Sequence, residues 1–304
     1  MRAVLELVLR LSPCWASRIV LLPAMFALGV SALAREPWAV RWEPARMVNG
    51  SPVLFRVTTP GKLTDLKGDF LGQELAFRFS PVCHCWYAIA GVGLNTRPGR
   101  YILHLHGKAA AAEGPALSYA VSVGAGHYPS STLKVAPAFV EPPKEELARI
   151  EEDQSTKKRA FAQTLPEPLW SGRFQAPADA DVSGVFGTAR VFNGVKKSQH
   201  TGLDFRVSSG TPIHAANRGT VILARPLYFE GNCVTLDHGQ GLLTLYLHLS
   251  EIKVKEGDTV ESGQLLGLSG GTGRATAPHL HFAVRWRGEY LDPATLLQLH
   301  PPEK

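Results

Sequence analysis

Along most of this chain apolar and polar residues alternate in short runs, and Gly, Pro, Asn or Asp breaks each run before a helical repeat can build. Between about residues 37 and 135 the runs are Val53-Leu54-Phe55-Arg56-Val57, Leu75-Ala76-Phe77-Arg78-Phe79, Trp86-Tyr87-Ala88-Ile89-Ala90 and Tyr101-Ile102-Leu103-His104-Leu105-His106. Asn49-Gly50, Pro60-Gly61 and Pro98-Gly99 punctuate them, which predicts a small antiparallel sandwich. A second set follows: Gly219-Thr220-Val221-Ile222-Leu223-Ala224, Cys233-Val234-Thr235-Leu236, Leu243 to His248, and His279 to Val284. The expected fold class is all-β, in two β regions.

Between those regions the pattern changes. Pro137, Pro142 and Pro143 precede Lys144-Glu145-Glu146-Leu147-Ala148-Arg149-Ile150-Glu151-Glu152, which predicts a solvated helix starting just after Pro143. Glu145 and Arg149 are spaced to pair weakly on it. The expected organisation is a signal segment at 1–34, a β-sandwich at 35–136, a charged helical linker at 137–168, a C-terminal β domain at 169–299 and a tail at 300–304. Arg97-Pro98-Gly99-Arg100-Tyr101 before a strand resembles bacterial immunoglobulin-like modules, so the sandwich is expected to be of that type.

The signal segment rests on Arg2, Arg10 and Arg18, an apolar run from Ile19 to Val30, and Ser31-Ala32-Leu33-Ala34. Basic residues, a short apolar stretch and an A-x-A end predict export to the periplasm or cell envelope, with cleavage after Ala34. If the segment were uncleaved it would serve as a membrane anchor, although Pro23 interrupts it. The whole chain carries a formal charge of +6; residues 1–34 hold three Arg and one Glu, so the remainder carries +4. That balance suits a polyanionic wall or membrane surface. No Lys/Arg run interleaved with aromatics points to nucleic acid, which is not expected as a partner. Loss of Cys14 leaves Cys83, Cys85 and Cys233, an odd number that argues against a disulfide framework. Cys83-His84-Cys85 lacks a second ligand pair at zinc spacing and reads as ordinary strand alternation.

The chemistry concentrates in the C-terminal region. His200-Thr201-Gly202-Leu203-Asp204 sets an imidazole and a carboxylate four residues apart, on one face of a helix or strand. Gly202 between them lets backbone pass close to a site. Tyr246-Leu247-His248 sets a phenol and an imidazole on one strand face, and His279-Leu280-His281 two imidazoles. A catalytic zinc takes three N or O ligands and keeps a position open. One carboxylate and four histidines exceed that need, and the surplus suits proton transfer and oxyanion stabilisation.

These residues, with Thr211-Pro212-Ile213, Ala216 to Val221, Gly257-Asp258-Thr259-Val260 and Thr272-Gly273, make the C-terminal region resemble the lysostaphin-like (LytM, M23) zinc metallopeptidases. The resemblance implies an antiparallel β-sheet peptidase domain with a narrow groove, Zn2+ on His200, Asp204 and His281, and His248 and His279 flanking the water and scissile carbonyl. Tyr246 is the expected substrate-binding residue. The implied reaction is hydrolysis of peptide cross-links on peptidoglycan peptide stems through a metal-activated water. Ala277 and Ala283 depart from the family pattern, at neither a ligand nor a catalytic position. The alternative is a non-catalytic wall-binding module or activator of a cell-wall amidase, which loss of any ligand would favour; none is lost.

Three features are read as decoys. Gly267-Leu268-Ser269-Gly270-Gly271 matches a nucleophile elbow but no helix follows it. His104 and His106 lack a partner and read as solvated strand residues. His238 before Gly239 reads as a structural turn residue.

Overall fold

The computed structural model describes residues 38–109 and 112–303. The expected signal segment lies outside the described residues, and among the described ones no helix is long and apolar enough to cross a membrane. In chain order the strands are β1 (Ala39–Glu43), β2 (Pro52–Thr58), β3 (Asp65–Phe70), β4 (Gln73–Ala76), β5 (Arg78–Ser80), β6 (Cys85–Gly91), β7 (Gly99–Ala109), β8 (Ala112–Val123) and β9 (Ser130–Leu133). The helix α1 (Leu147–Ala162) follows. Then come β10 (Val182–Gly184), β11 (Ala189–Phe192), β12 (Lys196–Gln199), β13 (Gly202–Phe205), β14 (Pro212–His214), β15 (Gly219–Leu227), β16 (Gly231–Asp237), β17 (Leu242–Ile252), β18 (Thr259–Val260), β19 (Leu265–Ser269), β20 (Leu280–Trp286), β21 (Glu289–Leu291) and α2 (Pro293–Gln298). The fold is all-β, as the alternation predicts.

The first eight strands form two four-stranded antiparallel sheets, ordered β1-β2-β6-β5 and β4-β3-β7-β8. Phe55 of one meets Phe70 of the other edge-on, with centroids 5.2 Å apart. The run read as a single strand from Leu75 to Phe79 is divided between the two sheets, β4 in one and β5 in the other. Cys83 and Cys85 are joined by a disulfide, contrary to the sequence reading. Only Cys85 belongs to a strand; His84 turns the backbone at φ 49°, so the alternation assumed for this stretch does not hold.

The C-terminal strands build a larger sheet around the order β10-β13-β20-β17-β16-β15-β18. One buried apolar cluster runs through both β regions. Tyr87 packs on Trp170 at 5.7 Å, and a Cβ at Gly91 would come within 2.7 Å of Leu291 and 3.0 Å of Trp286. Residues 36–304 accordingly form one compact unit. The chain leaving β8 also joins the second region directly: β9 pairs in parallel with β11, which pairs with β12.

Helix α1 begins after a 3-10 turn at Lys144–Glu146, close to the predicted start. It is docked rather than free. Asp153 Oδ2 accepts from the Tyr228 backbone N–H at 2.7 Å, Lys157 pairs with Glu230, Ile150 is buried, and Phe161 packs on Leu243, Leu245 and Ala283. Arg149 pairs with Glu146 at 3.6 Å instead of with Glu145.

Candidate metal centre

Antiparallel pairing of β13 with β20 makes Asp204 and His281 register partners, while His200 enters from the connection before β13. His200 Nε2 lies 3.0 Å from Asp204 Oδ1 and 3.0 Å from His281 Nδ1, and His281 Nδ1 lies 2.8 Å from Asp204 Oδ1. The three atoms form a nearly equilateral triangle, and all three residues are buried. A tetrahedral ion bound at about 2.0–2.1 Å sets its ligand atoms about 3.3 Å apart, so a small expansion of this triangle admits one. The donor set, two imidazole nitrogens and a carboxylate oxygen, is that of a divalent metal site.

Surrounding hydrogen bonds fix the orientation of His200 and Asp204. His200 Nδ1 donates to the Val185 carbonyl at 2.7 Å, which leaves Nε2 its lone pair. Gly202 lies where the strand passes over His281, as the sequence reading anticipates for this glycine. Burial alone would raise the Asp204 carboxyl. Close contact of Oδ1 with the His200 and His281 imidazoles outweighs it and holds the carboxyl well below the usual carboxylate range. Burial, outweighing the Asp204 contact, pushes His281 below the ordinary imidazole value. Both residues therefore carry free lone pairs at neutral pH.

A residue not singled out from the sequence completes the cluster. Arg190 of β11 donates from Nη2 to Asp204 Oδ2 at 2.6 Å, leaving Oδ1 for the triangle. Its Nε is buried with no partner among the described residues. Because β11 is held by β9, the segment leaving the N-terminal sheets helps position Arg190. A lone arginine in an alternating strand carries no motif that could have marked it.

Two further imidazoles line the same cavity. His248 Nδ1 donates to the Thr272 carbonyl and His279 Nδ1 to the Ala277 carbonyl, each at 2.8 Å, so both present Nε2 as the free atom. Their rings are 4.8 Å apart, and His279 Nε2 stands 3.8 Å from Asp204 Oδ1. Burial, then His281 and His279, pushes the His248 pKa down to about 3, so this ring is neutral at pH 7.

Tyr246 is not at the site, and the expectation that it binds substrate is corrected. It is fully buried on the opposite face of β17, where its hydroxyl accepts from Ala216 N–H at 2.8 Å and lies 3.0 Å from Thr244 Oγ1. Simple alternation would put His248 on that face too. The left-handed backbone at His248, φ 65°, accompanies a bulge near the end of β17 and turns the ring to the groove. His238 is structural: Nδ1 donates to Arg218 O and Nε2 faces Thr244 Oγ1, both at 2.7 Å.

Comparison with known proteins picks out the same segment of the chain. The model for peptidase family M23 matches residues 198–293, which contain all five polar site residues. The chain is 40% identical over 117 residues to the peptidoglycan DD-endopeptidase ShyA of Vibrio cholerae, covering 38% of this chain and 27% of that protein. It is 34% identical over 130 residues to the DD-carboxypeptidase/endopeptidase Mpg of Neisseria meningitidis, covering 43% and 28%. The chain thus spans only about a quarter of the length of these curated relatives. A crystal structure from Pseudomonas aeruginosa, described as peptidase M23, aligns over 83% of this chain and 95% of its own, at 30% identity and a TM-score of 0.62. The chain belongs to peptidase family M23.

Proposed function

We propose that this protein is an exported zinc endopeptidase that hydrolyses peptide cross-links of bacterial peptidoglycan. The observation that carries the reading is the buried His200–Asp204–His281 triangle, faced by the free Nε2 atoms of His248 and His279. When bound there, a zinc ion supplies Lewis acidity, polarising a carbonyl and lowering the pKa of a coordinated water towards about 7. His248, neutral and tied to Thr272 through Nδ1–H, accepts a hydrogen bond from the attacking water at Nε2 and aims it. His279 has the more open side chain, 17% exposed. It takes the proton at Nε2, donates as imidazolium to the developing oxyanion, and passes the proton to the leaving amine. Each role contributes on the order of 10²–10⁴-fold.

The bond assigned is D-alanyl–diaminopimelate rather than a glycine bridge, since the sequence relatives from Vibrio cholerae and Neisseria meningitidis are named, respectively, as DD-endopeptidases and as a DD-carboxypeptidase/endopeptidase. Export is supported by the basic and apolar residues before Ala34 and by the Cys83–Cys85 disulfide, a bond that persists in oxidising compartments. The test changes each of the five residues to Ala. Zinc is lost for His200, Asp204 and His281, kept for His248 and His279, and hydrolysis of cross-linked muropeptides collapses in all five. Full activity of His248→Ala would refute the assignment; stoichiometric zinc without hydrolysis in the unaltered protein would favour a non-catalytic wall module.

A further inference from the structure

A second cavity neighbours the groove beyond the histidines. Residues two apart on β20 share a face, so His281, Ala283 and Arg285 form one row, with Arg285 about 13 Å beyond His281. Leu247, Leu245 and Leu243 of β17 are their register partners, and Tyr290 of β21 is the partner of Arg285 on its other side. Past Lys157 and Tyr290, which line both cavities, a second cavity of about 570 Å³ opens between α1 and the β20–β21 hairpin.

Among the described residues its wall holds Lys157, Lys158, Arg285 and Arg287 and no acidic residue. Lys157 pairs with Glu230, while the side chains of Lys158, Arg285 and Arg287 have no ion pair or hydrogen bond among the described residues. Arg285 lies 5.0 Å from the Phe161 ring centre and 5.9 Å from that of Tyr290, and Arg287 lies 5.2 Å from Trp286. Stacking of this kind fixes a guanidinium plane and leaves its N–H edge open, a geometry that suits a carboxylate. Lys157, Lys158 and Phe161 come from α1, outside the residues that match the family.

We propose that this cavity is a substrate subsite that holds a free carboxylate of an acidic peptide, about four extended residues from the bond at the metal centre. The proposal rests on the peptidase reading for its substrate. Adjacency to the groove favours a peptide over a lipid surface, since Lys157 and Tyr290 line both cavities and the cations line a concavity.

The test is calorimetric binding of a stem tetrapeptide, L-Ala–D-Glu–diaminopimelate–D-Ala, and of the same peptide with its internal carboxylates amidated and its C-terminal carboxylate kept. The unaltered protein should bind the acidic form about tenfold more tightly. That ratio should fall to about one in Arg285→Gln and in the Lys158→Gln/Arg287→Gln double variant, whose side chains make no folding contact with an acid. Equal binding of the two peptides, or a ratio that survives both variants, overturns the subsite. So does a charge effect confined to phosphatidylglycerol vesicles. Hydrolysis of muropeptide dimers is measured alongside. Charge-dependent binding without hydrolysis supports the subsite and sinks the peptidase reading; hydrolysis without charge preference does the reverse.

Discussion

A methyl group at position 202 should separate metal binding from folding. The Cβ of an alanine there would lie 2.6 Å from His281 Nε2, 2.7 Å from His281 Cε1 and 2.6 Å from the Phe282 carbonyl oxygen. Each contact is about 0.8 Å short of ordinary van der Waals separation, and both neighbours belong to β20, the pairing partner of β13. Overpacking of this size costs about 1–3 kcal/mol. Part of it remains in the backbone whatever the ring does. The rest is relieved if the His281 imidazole swings away, and that movement takes Nδ1 out of the ligand triangle. Gly202→Ala should therefore weaken zinc binding by about 10- to 100-fold, the equivalent of about 1.4–2.8 kcal/mol, while the metal-free protein loses only a few degrees of Tm. Competition with a chromophoric chelator measures the first and thermal unfolding in excess chelator the second. Gly61→Ala, where no atom lies within 4 Å of the new Cβ, is the control. Zinc affinity within twofold of the unaltered protein would refute the reasoning, because it would mean that His281 does not hold the metal from the position described.

Arg190→Gln frees Asp204 Oδ2, and loss of such an orienting partner should weaken metal binding about 10- to 100-fold by chelator competition; unchanged or tighter binding would mean that the charge of Arg190 opposes the ion more than its hydrogen bond orders the ligand. Tyr246→Phe leaves the buried Ala216 N–H unpaired and should cost about 1–3 kcal/mol in denaturant unfolding, with activity per folded molecule unchanged within about twofold; a large loss of activity at full stability would restore a substrate contact. Burial pushes the His238 pKa down to about 4 from 6.5. Between those values the unfolded chain binds the extra proton, so stability is complete above pH 6.5 and falls by about 3 kcal/mol towards pH 4. His238→Gln should flatten that fall in urea titrations; an unchanged slope would assign it to other groups.

The His200–Asp204–His281 cluster was legible because H-x-x-x-D and H-x-H each compress chemistry into a few residues, and antiparallel pairing of β13 with β20 needs only to bring the two together. The strands were legible from alternation over most of their length. Alternation failed where the backbone departs from it. His248 at positive φ leaves the face that Tyr246 keeps, which is why the two were read as neighbours in the site when only one is there. His84 does the same between two cysteines that prove to be bonded. The docking of α1 was hidden for another reason. Its anchors are polar pairs, Asp153 with the Tyr228 N–H and Lys157 with Glu230, and such residues look solvated in a sequence. Arg190 depends on a pairing between β9 and β11, strands 59 residues apart in register, which no local pattern encodes.

The central claim is hydrolysis at the His200–Asp204–His281 centre. Its most direct test is mass analysis of purified D-alanyl–diaminopimelate-linked muropeptide dimers after incubation with the protein, with and without a zinc chelator. The account predicts two monomers whose combined mass exceeds the dimer by one water, formed only while zinc is bound and restored when zinc is returned. An intact dimer beside one bound zinc per chain would contradict it.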